Sequence, residues 1–158
     1  DVVLLDVTPL SLGVETLGVV ATKTENARLY FRLRPTRLPL AADAELVTHR
    51  AYGLPKPPVT PELLQAVETV QVNPTGELPE PMPVMKAVEA LDRLHGFKPT
   101  ATDHEDHERQ FPQLKGQFLV DRDGIVRWAN IECAVEGLAS FGKFPTEETI
   151  LAAARTLR

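Results

Sequence analysis

Gly116-Gln117-Phe118-Leu119-Val120 and Ile125-Val126-Arg127-Trp128-Ala129-Asn130, joined through Asp121-Arg122-Asp123-Gly124, are the stretch on which the fold turns. Apolar residues on both sides of an Asp-Gly pair predict a β-hairpin, because glycine takes the positive φ of a tight turn without steric cost. Downstream, Thr146 before Glu147-Glu148 is a capping-box-like start for a helix with Ile150, Leu151, Ala154 and Leu157 on one face. Gly137 to Gly142 reads as the loop before that helix. Its Gly142-Lys143 lacks the preceding Walker spacing and the following Ser or Thr, so it is not a phosphate loop.

Working upstream from the hairpin, ten of the 14 prolines fall between Pro55 and Pro112, which marks a loop-rich insert between more regular flanks. Two amphipathic helices are expected inside it. Thr60-Pro61-Glu62 opens one through Val70, with Leu63, Leu64, Val67 and Val70 apolar; Pro83 opens another through Leu94, with Val84, Val88, Leu91 and Leu94 apolar and Gly96 as the stop.

Before the insert, Leu17-Gly18-Val19-Val20-Ala21-Thr22 reads as a buried strand, and Thr24-Glu25-Asn26 as the cap of a helix running to about Leu33. Ala27, Tyr30, Phe31 and Arg34 share a face of that helix, and Pro35 ends it. Leu38 to Ala42 is extended, and Asp43 caps a helical turn whose apolar side is Leu46, Val47 and Ala51, ending at Tyr52-Gly53. Val2 to Val7, closed by Thr8-Pro9, is a further strand. The alternation of strand and helix predicts an α/β fold.

At 158 residues and 43% apolar content the chain can bury one core, so one domain is the default. With 22 acidic and 17 basic residues and a net charge of −5, neither a nucleic-acid nor an anionic-membrane partner is expected. No apolar run reaches the ~20 residues of a membrane helix, and the opening residues do not read as a signal peptide, so a cytoplasmic protein is expected. One cysteine, Cys133, excludes an internal disulfide and any C-x-x-C pair.

The order of elements from Leu17 to Arg158 resembles the later part of the AhpC/TSA redoxin group, relatives of thioredoxin and the peroxiredoxins. Leu17 to Thr22 looks like the strand after the family's active-site helix, Leu38 to Asp43 resembles its "PLLSD" segment, and His49-Arg50-Ala51-Tyr52-Gly53 resembles its "ARAYG". Gly116 to Trp128 resembles its "TFLIDRDGIVR" hairpin. The resemblance implies a thioredoxin-like sandwich over residues 17–158, with the helical, proline-rich insert at about 55–112. In that family the catalytic cysteine stands between a central strand and the next helix, whose N-terminus favours thiolate. Both would have to precede Leu17, where only 16 residues without a cysteine are available. The sandwich is therefore expected to be incomplete, and no catalytic residue carries over.

Residues 1–16, Asp1-Val2-Val3-Leu4-Leu5-Asp6-Val7-Thr8-Pro9-Leu10-Ser11-Leu12-Gly13-Val14-Glu15-Thr16, are similar to the interdomain linker and first substrate-domain strand of DnaK-type chaperones. The chain thus reads as a chimera or rearranged fragment. A sheet without its central strand leaves unpaired backbone groups, so Val2 to Val7 is expected to fill the vacancy. The nine residues from Thr8 to Thr16 are short for a parallel crossover, which favours strand exchange or edge pairing in a homodimer.

Among candidate sites, Cys133 has Glu132 and Glu136 nearby and no adjacent basic residue, which predicts an inert structural thiol; a reactive one is the alternative. His104 and His107 lie three apart among Asp103, Glu105, Asp106 and Glu108, a spacing open to a divalent metal, although the composition reads as a solvated acidic loop or helix start. His49 and His95 are expected as packing or surface residues, and Trp128 as core rather than a binding platform. With Ser11 and Ser140 the only serines, nothing identifies a Ser-His-Asp arrangement. The expectation is a non-catalytic, self-associating redoxin-like fragment with no cofactor. The alternatives are an enzyme, either a one-cysteine thiol peroxidase using Cys133 or an activity in a cleft opened by the truncation, and a peptide-binding module working through the N-terminal strand.

Overall fold

The computed structural model describes residues 17–156 and shows a mixed α/β protein. The strand expected at Val2 to Val7, the rest of 1–16 and the apolar Leu157 lie outside the described residues.

Strand β1 (Gly18–Val20), helix α1 (Thr24–Leu33) and strand β2 (Leu40–Ala42) form a parallel unit in which Gly18 pairs with Leu40 and Val20 with Ala42. Parallel strands need a crossover connection, and α1 supplies it. The face expected of α1 is the one turned inward: Ala27 is buried, Tyr30, Phe31 and Arg34 half-buried. Its cap differs from expectation. Lys23 occupies the N-cap without a side-chain bond, and Asn26, one of the expected capping residues, points its amide at a distant helix instead.

Helix α2 (Val47–Ala51) follows β2 and is organised by Asp43, whose carboxylate accepts the N–H groups of Val47, Thr48 and His49. Those bonds draw the His49 side of the turn inward. Leu46 and His49 are buried, whereas Val47 and Ala51, expected on the apolar side, face out.

The proline-rich segment departs most from its expected looseness. Thr60 accepts the Leu63 N–H and caps helix α3 (Pro61–Thr69); short strands β3 (Gln71–Val72) and β4 (Met82–Pro83) pair antiparallel; helix α4 (Val84–His95) ends at Gly96, whose φ of 68° forms its C-cap. Two apolar clusters sit here. One joins Leu63 and Val67 to Leu114 and Phe141; the other joins Val72, Leu78, Ala87 and Leu91. Both expected helices exist, but each is rotated relative to the expected stripe, so that Ala66 and Ala87 are buried while Leu64, Val88 and Leu94 are exposed. Buried alanines are what a reading based on large apolar residues does not anticipate.

The acidic run after Pro99, read as a loop or a helix start, is a full helix, α5 (Ala101–Gln110). Thr100 and Asp103 make a reciprocal capping box, satisfying N–H groups that the helix itself leaves open.

The hairpin forms as expected from β5 (Gly116–Val120) and β6 (Val126–Ile131), with Leu119 opposite Trp128. Asp121 holds its turn: one carboxylate oxygen accepts the N–H groups of Asp123 and Ile125, the other accepts Arg127 Nε at 2.5 Å, and Gly124 turns at a φ of 79°. Gly116 is fixed by space, since a Cβ there would lie 2.5 Å from Leu54 Cδ2. Trp128 is half-buried rather than core, because no residue of β6 is fully buried.

A 3-10 turn (Gly137–Ser140) leads to helix α6 (Glu147–Arg155), capped as expected by Thr146. Ile150, Leu151 and Ala154 are half-buried on it. Among the described residues, β1 pairs with β2 and β5 with β6, and no strand joins the two ladders. No helix among them is long and apolar enough to cross a membrane.

Candidate functional site

The C-terminal end of β1, the inner face of α1 and one face of α5 line an open cavity of about 630 Å³. That volume lies within the ~300–1,000 Å³ typical of small-molecule pockets. Ala27, Tyr30, Phe31 and Leu40 supply apolar wall, and α5 contributes Asp103, Asp106, His107 and Gln110. Asp103, Asp106 and Gln110 can line one side because positions i, i+3 and i+7 share a helical face.

A polar clasp fastens α5 to the β1–α1 unit. Asn26 Nδ2 donates toward Asp103 Oδ1 at 3.0 Å, Thr22 Oγ1 at 3.1 Å and Asp106 Oδ2 at 3.2 Å. The Thr22 hydroxyl donates to Asp106 Oδ2, and Arg109 Nη2 donates to Asp106 Oδ1 at 2.5 Å. A second Arg109 nitrogen donates to the Ala44 carbonyl, so α5 also grips the segment leading to α2. Asp106 is buried with every partner a charge at this depth requires. Burial alone would raise the Asp103 carboxyl, but hydrogen bonds from Thr100 and Asn26 outweigh it and hold the group below the usual carboxylate range. Gln110 also lines this side, with its Nε2 turned away from the accessible surface, buried and without a hydrogen-bond partner.

The residues singled out in the sequence lie elsewhere or play other parts. Cys133 follows β6 with a φ of 62° and packs half-buried against the Leu63, Val67, Leu114 and Phe141 cluster. Burial first, and the Glu132 carboxylate second, push its thiol up despite Ser140 and Lys115. Glu132 itself is buried and accepts Lys115 N–H at 3.0 Å and Gly142 N–H at 2.5 Å, which pins the Gly137 to Gly142 loop against β5.

His104 and His107 are both exposed on α5, and His107 stacks at 5.2 Å on Phe111. Among the described residues no three His, Cys, Asp or Glu side chains gather into a metal-holding group. His95 Nε2 lies 3.1 Å from Glu77, which also meets Arg34 at 3.3 Å. The deepest histidine is His49, 1% exposed, with Nδ1 at 2.8 Å from the buried Asp43 carboxylate. Burial presses its pKa below the ordinary value against the pull of Asp43, so the ring is neutral near pH 7.

The clasp residues escape a linear reading because Asn26 and its partners on α5 are 77 and 80 positions apart. One signal was present: Thr100-x-x-Asp103 announces a helix start, and that helix puts Asp103, Asp106 and Gln110 in register.

No protein-family model matches the chain, and no solved structure matches its fold.

Proposed function

We propose that this chain is a thioredoxin-like module without thiol redox activity that acts through association rather than catalysis. The state of Cys133 carries the reading. The sole cysteine is packed against an apolar cluster, its thiol is raised by burial and by Glu132, and a protonated thiol is a poor nucleophile toward peroxide or disulfide. A cytoplasmic setting is part of the proposal, since a lone thiol suits a reducing compartment.

The thioredoxin-like assignment draws support from the element order: parallel β1–α1–β2, then the β5–β6 hairpin, then α6. The two ladders lack a joining strand among the described residues, and residues 2–7 are proposed to provide it, by exchange between two copies or by edge pairing.

Two measurements test this. Cys133 alkylation at pH 8 should run at least several-fold slower than that of glutathione, with no peroxide turnover; turnover abolished in Cys133→Ser would overturn the non-catalytic reading. Light-scattering mass should give a dimer for the full chain and aggregation once residues 1–16 are removed. Well-folded monomers in both cases would refute the completing role of that segment.

A further inference from the structure

The outer side of β6 carries backbone groups that the hairpin does not use. Glu132 N–H donates to the Lys115 carbonyl at 2.9 Å, and the register that sets Gly116 against Ile131 makes those two residues directly opposite. Opposite residues of an antiparallel pair alternate between bonded and non-bonded, so Asn130 and Trp128 turn their backbone groups toward β5 while Ala129 and Ile131 turn theirs away. Among the described residues β6 has β5 as its one neighbouring strand, and the outward Ile131 carbonyl accepts the Ala134 N–H. The Ala129 N–H and C=O and the Ile131 N–H are left over. Gly116, Gln117 and Leu119 of β5 are buried and no residue of β6 is, so β6 is the open edge.

The devices that blunt an exposed edge are missing from this stretch. Residues 128–131 hold no proline and no charge, Arg127 has its Nε on Asp121, and the register shift lies at Leu119/Val120, beside the turn. The side chains also complement a copy of themselves. Asn130 Nδ2 donates to Gln117 Oε1 at 2.7 Å, which leaves the Asn130 Oδ1 open. On the same face the half-buried Trp128 has an indole N–H with no partner among the described residues. An antiparallel two-fold centred on Ala129 sets Trp128 beside Asn130 of the second copy, and Asn130 beside the second Trp128, donor to acceptor each time.

We propose that β6 pairs edge to edge with the β6 of a second copy of this chain, antiparallel about a two-fold axis at Ala129. This rests on the self-association inferred for the chain but not on exchange of residues 2–7. Such pairing is isologous and consumes the open edge of both copies, so it closes as a dimer instead of growing into a fibre.

The test measures mass against concentration by light scattering on the full chain, as wild type, Ala129→Glu and Ala129→Lys, and on an equal mixture of the two variants. Ala129 is exposed, so either side chain fits the isolated fold. The two-fold places like charges directly opposite each other, and each variant alone should dimerise at least roughly tenfold more weakly than wild type. The mixture should recover the dimer, which also shows that both variants fold. Charge variants that dimerise as wild type does, or a mixture that stays monomeric, would overturn pairing through β6 and leave association through residues 1–16 standing. A wild-type chain that is monomeric throughout would overturn both.

Discussion

Two regions of this molecule are held together by opposite means. The α3–β3–β4–α4 segment closes on apolar side chains, with Ala87 fully buried and Leu63 only 2% exposed, whereas α5 is fastened to β1 and α1 by Thr22, Asn26, Asp103, Asp106 and Arg109. An apolar seam is close-packed and leaves little room. A polar clasp fixes a few atoms at defined distances and lets the surface between them stay open, and the 630 Å³ cavity lies there. The difference teaches where open space survives: not where the core is densest but where directional bonds replace packing.

The sharpest break of the apolar side is Leu63→Ala. Leu63 belongs to the cluster that joins Val67 of the same helix to Leu114 and Phe141 from distant parts of the chain. Truncation should cost about 2–5 kcal/mol in urea unfolding, the range for a buried leucine whose surroundings relax only partly. A loss well under 1 kcal/mol would show that α3 is not packed as described.

On the polar side, Asp106→Ala removes the acceptor shared by Thr22, Asn26 and Arg109. Hydrogen bonds to a charged group contribute about 1.5–3 kcal/mol each but not additively, and Asn26 retains Asp103, so a net loss of about 2–3 kcal/mol is expected. The Asn26→Ala and Asp106→Ala double-mutant cycle should return a coupling of at least about 0.5 kcal/mol. Additive losses would mean that the clasp bonds are not made in solution.

Legibility in the sequence follows the same division. The hairpin, α3, α4 and α6 could be read because each has a local signal: Asp123-Gly124, Thr60-Pro61, Gly96 and Thr146. What was not legible depended on distant partners. The buried faces of α3 and α4 include Ala66 and Ala87, and a stripe of large apolar residues does not encode that. The proline-rich stretch reads as a loop-rich insert holding two helices that open at Pro61 and Pro83; the helices are there, and what that reading lacks is the packed core between them and the rest of the chain. The cavity left only the Thr100-x-x-Asp103 helix start as a signal, since Thr22, Asn26 and α5 meet through tertiary structure.

The smallest expected effect tests a third arrangement, in which one buried polar pair sits inside an otherwise packed turn. His49 and Asp43 both have pKa values below their ordinary ones: His49 because burial disfavours the imidazolium against the opposing pull of Asp43, and Asp43 because the hydrogen bonds from His49 and Val47 outweigh the upward push of burial. For each group the unfolded chain takes up a proton at a higher pH than the folded one. Stability from His49 is therefore complete above 6.5 and lost as pH falls toward its folded value, while that from Asp43 is complete above 3.8 and lost below it. One proton bounds the His49 slope at about 1.4 kcal/mol per pH unit, so unfolding free energy should decline by no more than that as pH drops from 6.5. His49→Gln should remove this upper decline and leave the acid limb, because Asp43 keeps the Val47 and Thr48 N–H groups. If the decline below pH 6.5 survives His49→Gln unchanged, the ring is not held neutral in the folded chain, and burial at His49 is not what sets the pH dependence of this turn.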